Sequence, residues 1–143
     1  MVFLTDFQKF PGVETLDQFE RDNNGVTTST VESTIFTSDA RRIRDTLFNL
    51  YNTDAVNTIT IKIFGSANGL ITPPADADDS WFNILNVAST VTPANYDDTK
   101  SFVLPALGVW YESFTVQWAW VRITAKASAG TPIIKIWARS HGY

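Results

Sequence analysis

Phe114 to Lys126 read FTVQWAWVRITAK, and the reading of this stretch decides the fold. It is built of β-branched and aromatic residues, with no Gly or Pro, which is strand composition. Successive side chains of a strand point to opposite faces. Ala119, Val121, Ile123 and Ala125 therefore share one face, which reads as plain core. Phe114, Val116, Trp118, Trp120, Arg122 and Thr124 share the other. Two tryptophans and an arginine are an unusual set for a face meant only for water. The sequence thus poses a question: what covers that second face.

The surrounding composition is that of one globular domain. The chain has 143 residues, 44% of them apolar and 13% aromatic, with 10 Phe, 5 Trp and 4 Tyr. Aromatic side chains dominate both cores and interfaces, so the surplus belongs to one or the other. A net charge of −4 argues against binding nucleic acid through phosphate neutralisation. No cysteine is present, so neither a disulfide framework nor a thiolate metal site is available. The N-terminus has no basic region followed by an apolar run, and no stretch reaches the length of a membrane helix. The expectation is a chain with no signal peptide, no membrane span and no membrane partner.

Residues 1–25 differ from the rest. Phe3, Phe7 and Phe10 precede Pro11-Gly12, after which Val13, Leu16 and Phe19 recur at three-residue spacing. That spacing, closed by Asn23-Asn24-Gly25, predicts a short helix inside an N-terminal arm. The arm either folds back on its own domain or docks on a neighbouring subunit. The remainder, 26–143, is read as the main domain. Val26 to Phe36 reads as one strand. Residues 38–52 fit both periods, but TITIKIF at Thr58 to Phe64 follows a turn cluster, so the two segments are expected to form a hairpin. A loop with Pro73-Pro74 and an acidic run comes next, then WFNIL from Trp81 and KSFVL from Lys100. Val109 to Phe114 begins or precedes the opening strand, and PIIKIWA from Pro132 ends the series after a turn at Ser128-Ala129-Gly130. About eight short strands predict an all-β sandwich or jelly roll.

Reaction chemistry is sparse. His141 is the single histidine and lies next to the C-terminus, a poor place for a catalytic triad. Glu112 has sugar-like neighbours in Trp110 and Tyr111 but no partner acid. Asp76, Asp78 and Asp79 lack the Gly and distant Glu of a calcium loop, so a solvated acidic loop is expected. Arg41, Arg42 and Arg44 sit beside Asp39 and Asp45, which balance them locally or leave them for carboxylates on a partner. No catalytic residue, metal site or cofactor is expected, and the chain is read as not an enzyme. Trp118 and Trp120 share a face, as do Ile133, Lys135 and Trp137. If the two strands pair across Gly130, Trp120 and Trp137 come close, as a second core layer, a protein interface or a sugar-stacking platform.

From about Thr27 to the C-terminus, the order TITIKIFGSANG, WFNIL, WAWVRITA, a Gly turn and TPIIKIWA resembles a small β-sandwich domain of tailed-bacteriophage virion proteins. Such domains occur in capsid decoration (cement) proteins and in tail or fibre parts. The resemblance implies a structural role in the virion as a homo-oligomer, with partners such as a major capsid protein. It carries no catalytic residue across. Its alternative is a carbohydrate-binding or host-recognition module of a tail or fibre, with Trp110 and Tyr111 stacking on sugar. The expected interface residues are Phe3, Phe7, Phe10, Phe19, Trp118, Trp120, Arg122 and Trp137.

Overall fold

A computed structural model describes residues 16–41, 43–85, 99–115 and 118–142. Within them the chain forms β1 (Leu16–Thr27), β2 (Ser33–Asp39), β3 (Ile43–Asn52), β4 (Ile59–Ser66), β5 (Trp81–Asn83), β6 (Phe102–Leu104), β7 (Val109–Thr115), β8 (Trp120–Ala127) and β9 (Ile133–Gly142). The first sheet has the order β1-β9-β3-β7. The second has the order β2-β8-β4-β5, with β6 also on β4. Every pairing is antiparallel.

β5 and β6 lie end to end along the same edge of β4, opposite Phe64–Ser66 and Ile59–Ile61. Taken as one interrupted strand, they reduce the nine strands to eight. Consecutive strands then change sheet at every step except from β4 to β5/β6, which pair in one sheet, and the result is the two interleaved Greek keys of a jelly roll. The expected all-β sandwich is therefore formed.

Alternation decides which side chains fill the space between the sheets. Ile59, Ile61 and Ile63 of β4 and Val121, Ile123 and Ala125 of β8 face Phe48 and Leu50 of β3 and Ile134, Ile136 and Ala138 of β9. Ring contacts cross the gap. Phe36 of β2 meets Phe48 of β3 edge to face, with centroids 5.6 Å apart. Phe102 of β6 stacks on Trp110 of β7 at 4.3 Å, closing the side of the sandwich where both sheets end. Burying one large side chain contributes about 1.5–3 kcal/mol, so this core outweighs any surface ion pair.

The pairings depart from the sequence expectations in several places. β3 and β4 form no hairpin: β3 pairs β7 and β9, while β4 pairs β5, β6 and β8. The connection 53–58 carries the chain from one sheet to the other. Buried Asn52 fixes it by donating to the carbonyls of Asn57 (2.8 Å) and Pro105 (3.0 Å). β8 and β9 likewise lie in different sheets, so the turn at Gly130 closes no hairpin and Trp120 and Trp137 stand on separate sheets. Val26 to Phe36 is two strands rather than one, because the chain changes sheet between Thr27 and Ser33.

The short helix expected before Gly25 is also corrected. Leu16–Thr27 is β1, paired with β9. A helix of two or three turns is marginal by itself, whereas the strand gains a ladder of backbone hydrogen bonds from β9. Asn23-Asn24-Gly25 serves as a bulge instead of a helix stop: the register shifts between Arg21 and Val26, and Gly25 takes φ 84°. A Cβ there would lie 2.5 Å from Ile133 Cγ2, so the close approach to β9 requires glycine. The boundary expected after residue 25 thus falls inside this strand.

Candidate interaction surfaces

The second face of β8 is covered by the chain itself. After β4, residues 67–80 fold back over the outward side of the second sheet, and the side chains that looked like interface anchors hold them there. Trp120 Nε1 donates to the Leu70 carbonyl at 3.1 Å. Trp81 Nε1 donates to the Ala75 carbonyl at 2.9 Å. Arg122 Nη1 donates to the Asp76 carbonyl at 3.1 Å and pairs with Asp76 Oδ1 at 3.0 Å. The guanidinium lies between two rings, 4.7 Å from the centre of Phe64 and 4.6 Å from that of Trp81. Each such contact contributes about 0.5–2 kcal/mol, most where water is excluded. Only 6% of Arg122 is exposed, and its Nε has no hydrogen-bond partner among the described residues. Burying a charge this deeply is tolerable because the rings and Asp76 replace its hydration.

The loop is braced at its base as well. The hydroxyls of Ser66 and Ser80 are 2.7 Å apart, and Asp78 Oδ1 accepts from the Ser80 backbone N–H at 2.8 Å. Hydrogen bonds from the Ser80 side chain and backbone N–H hold the Asp78 carboxyl below its ordinary value. Trp118, just before β8, stacks on Phe82 with centroids 5.9 Å apart and crosses directly over Gly65. That contact lies on the core side of the sheet; on the outward side, Glu32 Oε2 accepts from Thr124 Oγ1 at 2.9 Å while Oε1 meets Lys62 Nζ at 3.1 Å. Partial burial alone would raise the Glu32 pKa, but the bonds to Lys62 and Thr124, helped by the charges of Lys62 and Arg122, outweigh it and leave it lowered. Glu32 and Lys62 line a cleft of about 360 Å³ with Thr30, Thr60, Lys126, Ala127 and Ser128.

The first sheet is different. Its outward residues form cross-strand rows set by the register: Trp137–Asn49–Tyr111, then Lys135–Tyr51–Val109. Tyr111 is 72% exposed and Val109 61%, with Leu47 and Ile133 also exposed. No described element lies over this face. An aromatic and aliphatic surface open in this way is a candidate interaction surface.

The sequence candidates therefore separate into distinct places. Trp120 and Arg122 are internal clamps, and Trp118 is half-buried on Phe82. Trp137 alone of the tryptophan candidates lies on the open face. Phe19 takes the register position opposite Ala138 in β1, and Phe3, Phe7 and Phe10 lie outside the described residues. Trp110 and Tyr111 point to opposite sides, Trp110 inward on Phe102 and Tyr111 outward, so they form no joint stacking platform. Arg41 pairs with Asp39 and lies 5.5 Å over Trp120, while Arg42 is outside the described residues. His141 sits in β9 opposite Leu16 and Asp45. Among the described residues no three His, Cys, Asp or Glu converge as a metal site. Sequence reasoning missed Leu47, Asn49, Tyr51 and Val109. Their signal was the odd-numbered alternation in β3 and β7, invisible until the two strands are known to be neighbours. Comparison of the chain with protein-family models, with curated proteins and with solved structures finds no match in any of the three.

Proposed function

We propose that the protein is a non-enzymatic structural subunit of a tailed-bacteriophage virion, of the capsid decoration or cement kind, that assembles with copies of itself and with other shell proteins. The observation that carries this reading is the open outward face of the first sheet, with Trp137, Tyr51, Tyr111, Leu47 and Val109 side by side. Burial of such a face against a neighbour stabilises an assembly by roughly 25 cal/mol per Å² of apolar surface, less the cost of association. Jelly rolls serve as capsid and as lectin domains alike, so the fold is an analogy and the face is the reason. The test is the protein content of purified particles by mass spectrometry, together with particle binding by a Leu47→Asp variant. Presence on wild-type particles and loss with the variant support the role; absence from particles rejects it.

A second reading, sugar binding, is favoured by one detail: Asn49, whose buried Oδ1 has no hydrogen-bond partner among the described residues, takes the register position between Trp137 and Tyr111. A glycan array probed with the full chain tests it, and quenching of tryptophan fluorescence by a hit, lost in Tyr111→Ala, is the expected result.

A further inference from the structure

The two sheets have four edges, and three of them carry a device that discourages strand addition. β1 has the bulge between Arg21 and Val26 and four charged residues, Asp17, Glu20, Arg21 and Asp22. β2 has a register break between Thr34 and Phe36. The remaining edge of the second sheet is broken into β5 and β6, three residues each. β7 has no bulge, register break or interruption, and a single charged residue, Glu112. It runs for seven residues, VWYESFT, with no Pro, Gly or Lys, and pairs with β3 without a shift in register.

Its free side can be read from one bond. Asn52 N–H donates to the Gly108 carbonyl at 3.0 Å, so that carbonyl faces β3. Alternation then turns the N–H and C=O of Trp110, Glu112 and Phe114 toward β3, and those of Val109, Tyr111, Ser113 and Thr115 outward. Among the described residues no backbone hydrogen bond reaches the outward set.

From this we infer that β7 is a self-pairing edge: two copies join β7 to β7 antiparallel about a two-fold axis, making one continuous eight-stranded sheet. The charge on the strand selects the register. The register of greatest overlap sets Glu112 against Glu112 of the other copy, and like charges directly opposite are destabilising. A shift that centres the axis on Tyr111 removes that clash. Val109 then faces Ser113, Glu112 faces Trp110, and the two Tyr111 residues meet. The outward rows fuse as well, into Trp137–Asn49–Tyr111–Tyr111–Asn49–Trp137 across both copies. A single strand pair is a small interface, at the weak end of specific contacts, so a concentration-dependent equilibrium follows. The inference rests on the assembly reading only in requiring self-association; particle content is measured separately, so either can fail alone.

Sedimentation equilibrium of the full chain tests it, with dimer formation expected as concentration rises. Ser113→Pro removes an outward N–H without touching the β3 ladder, and Tyr111→Lys sets two lysines face to face. Each should weaken the dimer at least about tenfold while leaving the melting midpoint of the monomer in place. Because the chain has no cysteine, Tyr111→Cys is a clean probe: a short bis-maleimide should link two copies, and Thr115→Cys should link far less. A chain monomeric at every concentration overturns the inference. So does a dimer that survives both β7 variants, or one that cross-links at 115 in preference to 111.

Discussion

The guanidinium of Arg122 lies 4.6 Å from the centre of the Trp81 ring, and together they hold the 67–80 loop against the second sheet. Each residue also bonds the loop backbone, Arg122 at the Asp76 carbonyl and Trp81 at the Ala75 carbonyl. The pair therefore works as a latch within one chain, and its energetics belong to folding.

Replacing the latch should loosen the loop and lower stability together. Arg122→Ala removes both ring contacts and both bonds to Asp76, and is expected to cost about 2–4 kcal/mol. Asp76→Asn keeps the backbone carbonyl and the rings, and should cost less than about 1 kcal/mol, as exposed pairs do. Urea unfolding of the two variants, followed by tryptophan fluorescence, gives the comparison. Equal losses would show that the carboxylate, and not the rings, carries the contact.

Gly65 and Gly69 make a controlled pair. A Cβ at Gly65 would lie 2.4 Å from Trp118 Cγ, whereas one at Gly69 meets nothing within 4 Å. Gly65→Ala must displace the Trp118 ring from Phe82 and is expected to cost about 1–3 kcal/mol, as overpacking does. Gly69→Ala should stay within about 0.5 kcal/mol of the parent. Thermal melts decide, with near-UV circular dichroism reporting the tryptophan environment.

The acid limb of stability should depend on Glu32, Asp54 and Asp78. All three carboxyls have pKa values lowered in the folded state. A lowered folded value means that the contribution is present above the unfolded carboxylate range and is lost as pH falls through the folded value. Stability should thus be flat near neutrality and fall in acid. Glu32→Gln should flatten part of that fall and leave the rest, since Asp54 keeps its bonds from the backbone of Asn57 and Val56. Denaturant midpoints measured from pH 7 downward check the slope.

Two truncations should behave differently. Removing residues 1–15 stops short of β1 and leaves all described pairings in place. Removing 1–25 takes most of β1 away and leaves β9, with buried Ile134 and Ile136, as an unpaired edge. The shorter deletion is expected to melt near the parent, and the longer one to melt many degrees lower or to aggregate. Scanning calorimetry with light scattering separates them.

Much of this fold was legible in the sequence because strand identity is local. The alternation in WVRIT assigned core and outward faces correctly, and TITIKIF placed Ile59, Ile61 and Ile63 inward. The longer stretch FTVQWAWVRITAK is not one strand, however: Phe114 and Thr115 end β7 in the first sheet, β8 begins at Trp120 in the second, and Trp118 packs on the core side rather than beside Trp120. Pairing is not local, and there the reading failed. A connection of five or six residues can close a hairpin or cross the roughly 10 Å between sheets, and nothing in residues 53–58 chooses. The helix before Gly25 failed for a related reason, since its strand is stabilised by β9, more than a hundred residues later. The role of Trp120 was hidden because its partner is a backbone carbonyl, and carbonyls leave no mark in a sequence. Tyr111 stood out from the start, but its neighbours on the open face lie on other strands.

The interleaving of the two sheets also sets a timetable. In the first sheet β9 lies between β1 and β3, and in the second β8 lies between β2 and β4. One of the two interior strands of each sheet is thus among the last to be synthesised. A chain leaving the ribosome has β1, β2, β3 and β4 available with no partner between them. Thr28 must wait for Pro132 before its N–H finds an acceptor. Few native contacts are local, so the slow range for β-rich domains, roughly milliseconds to seconds, is the expected refolding time. Until β8 and β9 arrive, the isoleucine row of β4 stays accessible, which makes the unfinished chain a natural client for chaperones.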